Sequence, residues 1–312
     1  MAFLLSAWVP SSNASKPDYT HPWIDPSGEL SVGEFVLAHA GDVSLGRQKF
    51  RALGIQLLLC VVIFSLFAQC TIRAGVLLTY SHGRSISVWC CCIQALTGCI
   101  TALVFLAGSL PNGPSCRVDV WTATIGLTVS SLCIHVVLLE KAYVVCNRDR
   151  RLLVIAVLLL LPSVALIYSG IWISYAQVDE QGFCLKIYAP MHPWIKFWLD
   201  ASVNMVFSSI FLSVILQQYR QFGTRAWGRL SRDGILIMLG IILSNTLAAL
   251  GASLHLLGPL SQWLYLVDWA VTSILLIHQL AYMRATLRKR AKAELPKHSQ
   301  PAINRDRQRL PS

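Results

Sequence analysis

Residues 234–283 read GILIMLGIILSNTLAALGASLHLLGPLSQWLYLVDWAVTSILLIHQLAYM, fifty residues in which Asp268 is the single formal charge. A helix rises ~1.5 Å per residue, so one helix of this length would run about 75 Å. The hydrocarbon core of a bilayer is only ~30 Å thick, and about 20 apolar residues cross it. Gly258 and Pro259 stand near the middle of the stretch. Both are strong breakers of a periodic apolar run. The stretch therefore holds two spans, 234–257 and 261–283, with a short turn between them.

Working back along the chain, five further apolar segments of similar length stand out, at 52–72, 87–108, 118–139, 152–175 and 197–216. Inside a bilayer the backbone must satisfy its own polar groups, so all seven segments are expected to be helices. The segment 197–216 is the least clear-cut of the seven, because Asp200 and Asn204 lie within it. Pro162 removes one backbone bond from the fourth segment and predicts a kink there. Residues 1–51 form a polar, turn-rich tail with Pro10, Pro17, Pro22 and Pro26, and residues 284–312 a basic one. The first part of that basic tail is expected to continue as an interfacial helix, the rest to be disordered. The predicted fold is an all-α, seven-transmembrane helix bundle.

Composition agrees. Charged residues are 13% of the chain, against about 25% in soluble domains. The net charge of +11 does not call for a nucleic acid partner, because membrane topology accounts for the placement of the basic residues. On the side of the N-terminus lie Arg47, Lys49, Arg51, Arg117, Lys186 and Lys196. The opposite side holds sixteen, in loops 1–2, 3–4 and 5–6 and in the C-terminal tail through Lys297. The positive-inside rule then puts the N-terminus outside and the C-terminus in the cytosol. The flanks of the first helix taken alone lean the other way, and the whole count overrides them. The basic loops and tail suit anionic lipid head groups, at about 1 kcal/mol per basic residue near the surface.

Two further features fit this orientation. Asn13-Ala14-Ser15 is an N-glycosylation sequon in the outside tail. Of ten cysteines, most lie inside apolar runs, where thiols act as small hydrophobes. Cys116, at the head of the third helix, and Cys184, in loop 4–5, are the two that fall in outside loops. An oxidising compartment lets a disulfide between them persist; two free thiols are the alternative.

Seven helices, an outside N-terminus, a sequon in the tail and a cysteine heading helix 3 with a mate in loop 4–5 resemble the G-protein-coupled receptors. That likeness implies an extracellular small ligand, a cytosolic G protein and a place in the plasma membrane. It also singles out Glu140-Lys141-Ala142-Tyr143 at the inner end of helix 3 as a cytosolic switch, where the receptor pattern has an acid, a base and an aromatic. Here the base is Lys and the Tyr stands one position late. Helix 6 lacks Cys-Trp-x-Pro, and helix 7 lacks Asn-Pro-x-x-Tyr. The chain is nearer to the poorly characterised seven-helix receptor-like proteins of fungi. Leu139–Val144, Leu199–Asn204 and Val267–Ser273 carry that similarity. An opsin needs a Lys in helix 7, and none stands between Leu260 and Met283.

Intramembrane polar groups are the candidate ligand site, since a charge there is costly to hold. Asp200 and Asn204 share a face of helix 5. Asp268 on helix 7, Asn245 on helix 6 and His135 on helix 3 complete the set, His135 being expected deeper than the others. If these faces turn inward, a polar cavity opens to the outside and the carboxylates pair with a cationic ligand group. The alternative is that they only hydrogen-bond neighbouring helices and fix packing. Trp172, Trp194, Trp198, Trp263 and Trp269 are expected in an interfacial aromatic belt. No metal-ligand spacing, nucleophile–base pair or cofactor motif is found, so enzymatic activity is not expected. A small-molecule transporter or a structural membrane protein is the alternative to a receptor.

Overall fold

A computed structural model describes residues 26–38, 43–80, 85–145, 150–172, 174–179, 182–187, 191–222, 225–254 and 256–298; along several helices it describes the backbone alone. Eight α-helices occur among the described residues: α1 (Val32–Ala38), α2 (Val43–Tyr80), α3 (Ile86–Gly108), α4 (Cys116–Val145), α5 (Arg150–Trp172), α6 (His192–Phe222), α7 (Arg225–Ser253) and α8 (Trp263–His298). Every predicted apolar segment falls mainly on one of the helices α2 to α8, although 152–175 overruns α5 into the strand at Tyr175 and 234–257 overruns α7. Four stretches are long and apolar enough to cross a membrane: Gly46–Tyr80, Ile86–Gly108, Cys116–Glu140 and Leu260–Ala285. The protein is therefore a helical membrane protein. Shorter apolar helical stretches cover Leu152–Pro162 and Leu239–Ser253.

Each of α2 to α7 packs on its successor, and α8 returns to α2, so the helices close a ring. In addition α4 reaches α6 and α8. Outward faces are apolar: Leu58, Ile72, Leu158 and Leu243 all project from the surface. Within the spans, hydroxyls turn back onto their own helix. Thr71 donates to the Phe67 carbonyl at 2.9 Å, Thr101 to Thr97 at 2.9 Å and Thr128 to Thr124 at 2.8 Å. These bonds hide polar groups that hydrocarbon would not solvate. The break after α7 follows the residues identified above: Gly258 takes a positive φ of 57°, and Pro259 opens a 3₁₀ turn over Gly258–Gln262. By contrast, α5 runs on through Pro162.

One end of the ring is capped by structure that the sequence pattern did not show. Loop 4–5 folds as an antiparallel hairpin, β1 (Tyr175–Val178) with β2 (Cys184–Ile187), in the register Ala176↔Lys186 and Val178↔Cys184. The Cys116–Cys184 disulfide ties β2 to the start of α4, with the Cα atoms 5.6 Å apart. The stretch expected to be a tail also folds here. A 3₁₀ turn over Pro26–Glu29 packs on β1 and α4, and α1 packs on α2. Ser31 and Glu34 form a reciprocal N-terminal box: Glu34 N–H donates to Ser31 Oγ at 3.1 Å and Ser31 N–H to Glu34 Oε2 at 3.2 Å. Arg117 pairs with Glu29 at 2.5 Å. Lys49, counted above as an interfacial cation, is buried with its ammonium 4.3 Å from the centre of the Phe35 ring. At the other terminus α8 runs on through 284 to His298. The sequon at Asn13 and the tail beyond 298 lie outside the described residues.

Candidate functional site: a polar cavity between α4, α6, α7 and α8

Two to three turns from the capped ends of α6 and α7, the helices part around a cavity of about 60 Å³. Asp200 from α6, Asn245 from α7, Asp268 from α8 and His135 from α4 all line it. Four of the polar residues singled out by sequence thus meet at one site. His135, expected at a deeper level, joins them because α4 contacts both α6 and α8. The side chain of Asn204 lies outside the described residues.

The two acids are not equivalent. Lys196, one turn before Asp200 on α6, donates to its Oδ2 at 2.6 Å, and each side chain is 28% exposed. This pair was legible as an i,i+4 spacing, but Lys196 had been assigned to a loop. Asp268 is held by hydrogen bonds instead. Ser244 Oγ donates to Oδ1 at 2.5 Å. The Asn245 amide nitrogen, turned toward the carboxylate, reaches Oδ2 at 2.5 Å and Oδ1 at 3.1 Å. Among the described residues Asp268 makes no ion pair. Lys196, Asp200 and Asp268 together leave one negative charge on the cavity wall.

Trp269 does not join an aromatic belt. It is 2% exposed and forms part of the cavity wall. Its ring stands edge-on to Phe67 with centroids 5.0 Å apart. Gly126 lets the helices approach, since a Cβ there would lie 2.8 Å from the indole. Trp194 and Trp198 are exposed, as a belt requires. Two cavity-lining residues carry buried polar atoms with no hydrogen-bond partner among the described residues, His135 Nδ1 and Trp269 Nε1. A buried polar atom without a partner costs ~1–3 kcal/mol.

The hairpin end carries further basic groups. Lys186 on β2 is buried, its ammonium 2.5 Å from Thr124 Oγ1. Gln262 clasps its backbone from both sides, accepting from Lys186 N–H at 3.1 Å and donating to its carbonyl at 2.7 Å. Burial, reinforced by the nearby Lys196 charge, pushes the Lys186 ammonium down to about 7. Burial followed by Lys186 and Lys196 lowers the His192 imidazole to about 4.

At the far end of α4, Glu140 reaches α3. Its Oε2 accepts from Ser87 N–H at 2.8 Å and also from Ser87 Oγ. Ser85, the N-cap of α3, makes no side-chain bond of its own there, so Glu140 caps that helix from a neighbour. Arg284 on α8 donates to the Leu77 carbonyl in the last turn of α2. Tyr143 is half-buried on the same end of α4, while the Lys141 side chain lies outside the described residues. Among the described residues no group of three or more His, Cys, Asp or Glu is placed to hold a metal ion. Comparison of the chain with protein-family models and with curated proteins finds no match.

Proposed function

We propose that the protein is a receptor-like membrane protein of seven spanning helices, with the hairpin end outside the cell and the C-terminus in the cytosol. It senses a small extracellular ligand in the cavity between α4, α6, α7 and α8. The loops 3–4 and 5–6 and the tail then signal to a cytosolic partner such as a G protein, from the plasma membrane. The observation that carries this reading is the meeting of His135, Asp200, Asn245 and Asp268 around one polar cavity. The disulfide at the capped end supports an exterior placement, since such bonds persist in oxidising compartments. Glu140 suits a switch because its carboxylate bridges two helices at the end facing the basic loops.

Sidedness is tested first, with a reporter on the C-terminus and endoglycosidase treatment of the Asn13 sequon. A cytosolic reporter and a glycan at Asn13 support the reading. A cytosolic N-terminus would overturn it and would turn the argument toward a transporter or a structural protein. In a reporter cell, Asp268→Asn and Asp200→Asn are each expected to abolish a ligand response. Unchanged dose–response curves in both variants sink the cavity assignment.

A further inference from the structure

The cavity wall constrains the chemistry of its ligand, an inference that rests on the cavity reading above. Asp268 brings a charge that Lys196 does not neutralise, because Lys196 is paired with Asp200 at 2.6 Å. Ser244 and Asn245 fill part of the Asp268 acceptor capacity, and an ionised carboxylate has about four acceptor sites. Phe197, Tyr265 and Trp269 add aromatic faces, which attract an organic cation. A neutral ligand leaves the Asp268 charge unbalanced in a water-poor site. Size is the remaining bound: at ~10–15 Å³ per water-sized group, about 60 Å³ admits four to six such groups.

We propose that the ligand is a free, small primary ammonium compound of about four or five heavy atoms, its ammonium bound by Asp268.

The probe is ethanolamine, applied to the full chain purified in detergent, with ionic strength held constant by sodium chloride. Ser131 lines the cavity, and Ser131→Cys installs a nearly isosteric thiol there. Its reaction with methyl methanethiosulfonate, read above the wild-type background, reports access. Ethanolamine and methylammonium are expected to slow that reaction in a saturable way, and neither ethylene glycol nor tetramethylammonium to do so. The first control lacks the charge and the second lacks N–H donors. Adding Asp268→Asn to Ser131→Cys should keep the thiol reactive and weaken protection about tenfold or more, as expected for loss of a hydrogen bond to a charged group. A reactive thiol that ethanolamine does not protect, or equal protection by ethylene glycol, overturns the ligand class and leaves the cavity reading standing. A thiol that never reacts above background overturns both.

Discussion

Gly98 offers the sharpest test of how the bundle positions its cavity. A Cβ at this position of α3 would meet the Phe67 ring at 2.5, 2.6 and 2.7 Å. Carbon atoms in ordinary contact stand ~3.5–4.0 Å apart, so in Gly98→Ala the ring must retreat by about 1 Å. It has nowhere to go: Phe67 is 1% exposed and its other side meets Trp269. Trp269 in turn rests on Gly126 and walls the cavity. Overpacking of this kind costs ~1–3 kcal/mol. Phe67→Leu alone leaves a void and also destabilises, by on the order of 1 kcal/mol or more. Combined, the two substitutions relieve each other, so the double variant should be more stable than their sum by at least about 1 kcal/mol. Gly54→Ala and Gly75→Ala on α2 serve as controls. Nothing lies within 4 Å of either added carbon, so both should be neutral or slightly stabilising, by up to ~1 kcal/mol. The assay is unfolding of the detergent-purified protein in increasing sodium dodecyl sulfate, followed by near-ultraviolet circular dichroism of the buried tryptophan. A wild-type midpoint for Gly98→Ala, or a cycle additive within ~0.5 kcal/mol, would refute the packing argument.

Three further outcomes follow from the geometry. Breaking the Cys116–Cys184 bond by Cys116→Ser, Cys184→Ser or both should free the hairpin alike in all three variants, read as faster limited proteolysis between residues 174 and 187; intact protection would mean that the Lys186–Gln262 clasp suffices. Glu140→Gln should loosen the start of α3, and Arg284→Met the end of α2, each by about 1 kcal/mol; hydrogen exchange at residues 86–89 and 77–80 should quicken in the respective variants and stay local. The pH dependence has a definite sign. Between about 7 and the usual lysine value of 10.5 the unfolded chain holds a proton on Lys186 that the folded protein lacks. Stability should therefore rise with pH across that window, and likewise from about 4 to 6.5 through His192. Thermal unfolding of Lys186→Met should lose the upper slope and that of His192→Gln the lower; slopes identical to wild type would show that neither group is desolvated in the fold.

Each apolar segment, the turn at Gly258-Pro259 and the mating of Cys116 with Cys184 could be read before any coordinates, because hydrocarbon thickness and backbone self-satisfaction leave few alternatives. The polar residues of the site were legible for the same reason, a charge in a bilayer being conspicuous. Their depth was not. Counting residues along separate helices put His135 on another level, whereas α4 packs on α6 and α8 and brings it to the same cavity as the acids. Helix boundaries were equally hidden, since a helix does not end where its apolar run ends: Lys196 sits inside α6 and pairs with Asp200, leaving Asp268 as the acid of this cavity without an ion pair among the described residues. Trp269 looked like an interfacial residue by position, and only the gap left by Gly98 and Gly126 lets its ring turn inward. The hairpin and the folded segment 26–38 are too short to show as apolar spans, and their order comes from contacts with α2, with α4 and with the turn before α8. Spans and candidate polar groups are set by the solvent, and solvent preference is a property of each residue. Which acid keeps its charge, and which ring walls the cavity, depend on neighbours distant in the chain.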